Sequence, residues 1–363
     1  MEPQGSATDA AMASSERQAP ASLRVSRRQR EFRRLPTRGG GSFTLAPPVT
    51  KPHSSPPEHA TRGQLALGFA VIYVVWGSTY LAIRFGLESI PPFLLGGVRF
   101  LTAGTAMYLW ARLRGAPKPT ALEWKSSAIV GFLLLFIGNG AVSWSEQRVS
   151  SGMASLIVAT VPLWLVLCEW AQGQAPAVTK LIGVAIGLAG VGLLVLPAAG
   201  DAVGTAVDPV GAGALMLSAL SWTVGSLYAR GATMARPASL AIAMQMLVGG
   251  VMLLALAGAT GQVSTVMRAG VTTGSALALL YLIVFGSIIG FTTYMWLLRV
   301  ASPTAVGTYA YVNPIVAVLL GVLLAGEHLP SQALLATLVI VGGVAMVSLA
   351  PHLARTLRGA TES

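Results

Sequence analysis

A few polar and charged residues interrupt the long apolar stretches of this chain. Arg99 lies inside one of them, and Asn139, Ser143 and Glu146 follow at spacings that place an amide, a hydroxyl and a carboxylate on one helical face, with Gln147 next to them. An ionisable side chain within a membrane costs on the order of 2.5–3.5 kcal/mol, so each is a functional candidate. We expect Arg99 either to bind a carboxylate or to pair with Glu146. In the second case, Glu146 would gain and lose a proton. A structural ion pair that closes the helix bundle is the equal alternative.

Aromatic and amide side chains form a second group of candidates. They are Trp76, Tyr80, Tyr309 and Asn313, and the nearby prolines Pro162 and Pro314 are expected to break the helical hydrogen-bond pattern. Aromatic faces with a polar tip suit amphiphilic organic molecules and cations. Trp and Tyr also anchor helices at membrane interfaces, and that alternative remains open for this group.

The elements that must position these residues are apolar stretches of about 20 residues, the length that crosses about 30 Å of hydrocarbon. The 363 residues are 54% hydrophobic and 10% charged, whereas soluble domains are about 25% charged. We therefore predict an all-α integral membrane protein with ten transmembrane helices. The expected spans are 65–86, 93–111, 126–146, 150–171, 179–197, 209–230, 238–259, 275–297, 303–325 and 332–351.

The distribution of basic residues predicts the orientation of these spans. If the amino terminus is cytoplasmic, twenty of the 24 Lys and Arg residues lie on that side, three lie outside, and Arg99 lies within a span. Positive residues are retained on the cytoplasmic side of membranes. Both termini are therefore expected in the cytoplasm, and residues 352–363 form a cytoplasmic tail.

Residues 1–64 differ from the rest of the chain. Seven arginines lie between Arg24 and Arg38, followed by a Pro/Ser-rich run, and no apolar stretch could be buried. This composition is typical of a disordered basic tail. The tail could contact anionic lipid or RNA, or serve in targeting. Alternatively, it is a solvated tail with no specific partner, or the assigned start lies too early. Only one aromatic residue, Phe32, lies among the arginines, so we expect no nucleic-acid partner.

Enzymatic chemistry has little support in the sequence. Cys168 is the only cysteine, the four histidines lack metal-ligand spacing, and there is no phosphate-binding G-x4-GK[ST] motif. We expect no catalytic residues, no cofactor and no metal site, and hence no enzyme.

An internal repeat relates the two halves, 65–200 and 201–351. An offset of 146 residues superposes Trp76 on Trp222 and Arg84 on Arg230, and an offset of 152 superposes Pro162 on Pro314. Because each half has five spans, the second copy would enter the membrane upside down. Inverted repeats are typical of secondary transporters, which bind a small substrate between the halves and expose it to either side.

Three segments carry a resemblance to a known family. WGSTYLAIRFGLESIPPFLLGGVRF (76 to 100), GNGAVSWSEQRVSSGMASLIVATVPLW (138 to 164) and TYAYVNPIVAVLLGVLLAGE (308 to 327) resemble EamA-domain carriers of the drug/metabolite transporter superfamily, in particular its YedA-like branch. The resemblance implies a ten-helix carrier that exports amino acids, related metabolites or drugs across the bacterial inner membrane.

One family pattern is only partly present. Members carry a Pro followed thirteen residues later by a Glu in each half; Pro314 and Glu327 fit, whereas Pro162 is followed by Ala175 at that spacing. The first half departs from the pattern, and Glu169 is not its equivalent of Glu327.

The sequence thus favours a secondary-active exporter that works by alternating access, with protons as the expected energy source and the lipid bilayer as its surroundings. The alternatives are a membrane sensor or scaffold that does not transport, and an integral membrane transferase. The residues alone permit either direction of transport and leave the substrate, the coupling ion and the oligomeric state open.

Overall fold

A computed structural model describes residues 60–196, 207–301, 303–327 and 331–361, and all regular secondary structure in these ranges is helical. The predicted basic tail lies outside the described residues up to position 59. The described residues belong to one unit, Pro56–Ser363. The helices are α1 (Arg62–Gly86), α2 (Pro92–Leu113), α3 (Ala121–Ser145), α4 (Ser151–Ala171), α5 (Val178–Val195), α6 (Pro209–Gly231), α7 (Ala238–Ala259), α8 (Gln262–Ala269), α9 (Thr273–Val300), α10 (Pro303–Val306), α11 (Tyr309–Ala325) and α12 (Ser331–Thr361).

Seven of the described helices are long and apolar enough to cross a membrane: α1, α3, α4, α5, α6, α7 and α9. Two shorter apolar segments, Val312–Ala325 and Gln332–Ser348, lie in α11 and α12. Each predicted span coincides with a helix, and α10 and α11 share the ninth. The last helix continues to Thr361, through residues that the sequence assigns to a tail.

Local capping chemistry sets several of the helix starts. The side chain of Thr61 accepts the backbone N–H of Gln64, and the side chain of Gln64 accepts the backbone N–H of Thr61 in return. Thr120 and Glu123 form the same reciprocal pair at the start of α3. These bonds satisfy N–H groups that have no partner within the helix.

Three helices are irregular near their middle. Wider π-helical turns occupy Phe132–Asn139 of α3 and Leu282–Ile289 of α9. The fourth helix breaks between Ser151–Val158 and Val161–Ala171. Such irregular turns shift side chains out of the usual helical register and often mark functional sites.

Helices α1 and α6 each pack against helices of the other half of the chain. The first helix packs against α9 and α11, while α6 packs against α3 and α4. Two further pairs, α2 with α7 and α5 with α12, make the most extensive helix contacts. The irregular helices α3, α4 and α9 therefore pack against α1, α6 and α11.

Candidate functional site

A cavity of about 220 Å³ lies among helices α1, α2, α3, α4, α6, α9 and α11. Its wall includes Gly138 and Asn139 at the end of the π-helical turn of α3, the break in α4, and Gly307 between α10 and α11. The end of the π-helical turn of α3 and the break in α4 therefore border the same space.

Most of the candidates named from the sequence line this cavity. They are Trp76, Tyr80, Arg99, Asn139, Pro162, Tyr309, Asn313 and Pro314. Ser143 and Glu146 are buried but do not line it, and Gln147 is exposed. The polar stripe on α3 thus begins at the cavity with Asn139 and leads away from it toward the end of the helix.

Arg99 is buried and is the one ionisable Lys, Arg, Asp or Glu among the described lining residues. Its Nε donates to Oγ of Ser287, 2.9 Å away in the π-helical turn of α9, and its guanidinium lies 4.8 Å from the ring centroid of Phe100. In the described part of the chain, no carboxylate lies within 4 Å of it. The π-helical turn orients the guanidinium but leaves its charge without a close counter-ion.

Trp76 forms an aromatic wall of the cavity. Its ring centroid lies 5.3 Å from that of Phe291, 5.1 Å from that of Tyr294 and 5.2 Å from that of Tyr309. Its Nε1 donates to the carbonyl of Gly286 at 3.3 Å. Because these contacts come from both α9 and α11, the indole is fixed in place rather than free to rotate.

The polar groups of the cavity differ in how well they are satisfied. Asn139 Nδ2 donates to the carbonyl of Leu134 at 3.2 Å, and Ser218 Oγ donates to that of Gly138 at 2.8 Å. In contrast, Oδ1 of Asn313 is buried without a hydrogen-bond partner among the described residues. A buried acceptor of this kind is costly unless a ligand or water satisfies it.

Glu146 is another buried residue whose polar atoms lack a partner among the described residues. Neither carboxylate oxygen has a hydrogen-bond partner among the described residues, although the charges of Glu327, Arg84 and Arg99 act on it. A carboxylate charge in such a place is costly because water and hydrogen-bond donors do not compensate it. Glu146 lies beside the cavity and not within it.

Glu327 is absent from the set of site candidates that the sequence singled out. It is buried, and its Oε1 lies 3.4 Å from Nε of Arg84. The carboxylate also accepts the backbone N–H of Ser151 at 2.9 Å, its hydroxyl at 2.8 Å, and the N–H of Gly152 at 3.2 Å. The family pattern of Pro and Glu was the only sequence signal for it, because its partners are distant along the chain.

A second ion pair lies at the other end of α4. Nη1 of Arg230 lies 3.5 Å from Oε1 of Glu169. Arg230 is the residue that the internal repeat superposes on Arg84. Within the described residues, no group of three or more His, Cys, Asp or Glu side chains comes together as a metal site.

Known transporters are similar in sequence to this chain. The model of the EamA-like transporter family matches residues 64–196 and again residues 209–349. The inner membrane transporter YedA of Escherichia coli K12 is 40% identical over 284 residues, which cover 78% of this chain and 90% of that protein. The transporter YvbV of Bacillus subtilis is 26% identical over 289 residues, covering 79% and 92%.

A solved structure shares the fold. A crystal structure superposes with a TM-score of 0.52 at 22% identity, covering 82% of this chain and 99% of that one. Sequence similarity over most of the chain, together with a helical bundle that contains apolar spans, leads to one assignment. The chain belongs to the EamA-like transporter family, is similar to YedA, and is a transporter rather than an enzyme.

Proposed function

We propose that this protein is a secondary-active transporter that exports small organic molecules across the bacterial inner membrane by alternating access. The observation that carries the proposal is the central cavity, in which a buried arginine faces a space bordered by helices from both halves. A binding site between two halves can be exposed to one side and then to the other as the halves move. The name of YedA, an inner membrane transporter, supports the location.

The proposed architecture is ten transmembrane helices in two inverted repeats, 65–200 and 201–351. Three observations support it. The family model matches twice. Both α3 and its counterpart α9 contain a π-helical turn. The packing of α1 against α9 and α11 corresponds to the packing of α6 against α3 and α4, because these helices are each other's counterparts in the two repeats. With an excess of basic residues inside, this arrangement leaves both termini in the cytoplasm.

The cavity favours a substrate with a carboxylate. Arg99 supplies a cation without a close counter-ion, and Asn313 offers an unused acceptor for an N–H or O–H donor. The indole of Trp76 provides an apolar or cation-binding face. Amino acids and related metabolites have these groups, whereas a cationic drug would meet the positive charge of Arg99. Metabolites are therefore the preferred substrates, and drugs are the second candidate.

Proton coupling is assigned to Glu146, because its buried carboxyl lacks partners and lies within the electrostatic influence of Arg99. Glu146→Gln removes the titratable proton while keeping a similar shape. We expect this variant to lose the dependence of transport on a pH gradient but to retain exchange of substrate for substrate. A pH dependence equal to that of the unmodified protein would contradict the role of Glu146.

The proposal is tested with purified protein in liposomes. Counterflow of a labelled substrate against an unlabelled one, measured with a panel of amino acids and cationic drugs, should reveal saturable exchange of at least one carboxylate-bearing compound. Binding without flux would instead identify a membrane sensor or scaffold. Chemical conversion of a compound would identify a membrane transferase, the alternative that the family membership disfavours.

A further inference from the structure

Two ionic contacts lie at opposite ends of α4, and the break of this helix lies between them. The Glu327 cluster, which consists of Arg84, Glu327, Ser151 and Gly152, is located at the first turn of α4. The Arg230–Glu169 pair is located near its last turn. Val158, Ala159, Val161 and Pro162, at the break, line the cavity. Each part of α4 therefore has one ionic contact at the end that lies away from the break.

The Glu327 cluster joins elements from both halves of the chain. Arg84 ends α1, Ser151 begins α4, and Glu327 follows α11. Ser150, the residue before α4, makes no side-chain cap, so the carboxylate of Glu327 accepts the N–H groups that a local cap would otherwise satisfy. Release of Glu327 would leave these groups without their partner.

The surrounding packing is shaped for this carboxylate. A Cβ on Gly321 would collide with Oε2 of Glu327. The backbone N–H of Glu327 also donates to the carbonyl of Gly321 at 3.0 Å, which turns the chain back over the end of α11. The Glu327 cluster is therefore held by close packing and hydrogen bonds, and is not an accidental approach of two surface charges.

The Arg230–Glu169 pair is much weaker by the same criteria. Its side chains are 61% and 27% exposed, against 42% and 3% for Arg84 and Glu327. Water screens an exposed pair, so its net contribution is small. A buried carboxylate with several charge-assisted hydrogen bonds loses much more when its contacts break.

We propose that the Glu327 cluster and the Arg230–Glu169 pair alternate in closing the two ends of the cavity, and that their unequal strength makes the Arg230–Glu169 end the one that opens more readily. This inference rests on the proposed alternating access. In the proposed orientation, the Glu327 cluster closes the periplasmic end, and the transporter at rest favours opening to the cytoplasm.

The test is a distance measurement on the full-length protein in lipid nanodiscs by double electron–electron resonance. Cys168→Ser removes the only cysteine, and nitroxide labels are placed at exposed positions across each end. Leu324 and Gln147 report on the Glu327 end, and Gln174 and Gly231 report on the opposite end. We compare Glu327→Gln with Glu169→Gln. Arg268→Gln is the matched control, because it removes an exposed charge from α8 without touching Glu327.

We expect Glu327→Gln to raise the ratio of long to short distances between Leu324 and Gln147 at least about tenfold, as the loss of charged hydrogen bonds requires. Glu169→Gln should change the ratio between Gln174 and Gly231 less than about fivefold, because that pair is exposed. Arg268→Gln should change neither distance.

An unchanged distribution between Leu324 and Gln147 in Glu327→Gln would overturn the proposal. If this variant does not fold, Arg84→Gln is measured instead. It removes the ion pair with Glu327 but keeps the bonds from Ser151 and Gly152, so a smaller rise is expected, and an unchanged distribution would again overturn the proposal. The distances are independent of flux. Absence of counterflow with the expected shifts would therefore refute transport alone, whereas counterflow without the shifts would refute the closure alone.

Discussion

The contact between α5 and α12 gives a prediction that can be worked out from the backbone. A Cβ on Gly343 would lie 2.5 Å from the backbone N of Gly187 and 2.7 Å from the carbonyl oxygen of Gly183. These are backbone atoms, so neither can move unless one helix shifts against the other. A Cβ on the neighbouring Gly342 would meet nothing within 4 Å. Two adjacent glycines thus provide a test and its matched control.

Overpacking of a tight contact costs about 1–3 kcal/mol, and Gly343→Ala should lose this amount of unfolding free energy. Gly342→Ala should be neutral or slightly stabilising, since alanine is the better helix former by up to about 1 kcal/mol. The two variants are compared in one detergent by thermal unfolding, followed by tryptophan fluorescence. We expect Gly343→Ala to melt several degrees below Gly342→Ala. Equal melting temperatures would refute the close approach of α5 and α12.

Two further predictions concern the cavity. A Cβ on Gly290 would lie 2.5 Å from Nε1 of Trp76, whereas one on Gly274, in the same helix, would meet nothing within 4 Å. Gly290→Ala should therefore raise the half-saturating substrate concentration in counterflow, and Gly274→Ala should not; equal effects would contradict the role of Trp76 as a wall. Asn313→Leu should weaken substrate binding about tenfold if its Oδ1 accepts a substrate donor, and binding at full strength would assign Asn313 a structural role.

Much of the helical framework follows from the sequence, because apolar length and turn-forming breaks are local properties. The candidates that line the cavity were identifiable for a related reason: polar and aromatic side chains in apolar surroundings are costly unless they are used. Other lining residues, such as Ser155 and Ser218, were not singled out. The sequence did not indicate which polar residues of α3 reach the cavity and which do not. Asn139 reaches the cavity while Gln147 is exposed, because the cavity ends before α3 does.

The contacts of Arg99 and Glu327 lay beyond sequence reasoning. Ser287 is 188 residues from Arg99, and Ser151 is 176 residues from Glu327. Nothing in the local sequence indicates such pairings, since they depend on how the helices of the two halves pack. The π-helical turns of α3 and α9 are likewise invisible to hydrophobic periodicity, because apart from Asn139 and Ser287 their residues are apolar or glycine.

The most direct test of the central claim is counterflow in liposomes with an amino acid and with the amine that lacks its carboxylate. If Arg99 binds a substrate carboxylate in the cavity, the unmodified protein should exchange the amino acid and not the amine. Arg99→Gln should abolish that exchange while the protein remains folded by thermal unfolding. Equal exchange of both compounds, or undiminished exchange by Arg99→Gln, would contradict the account.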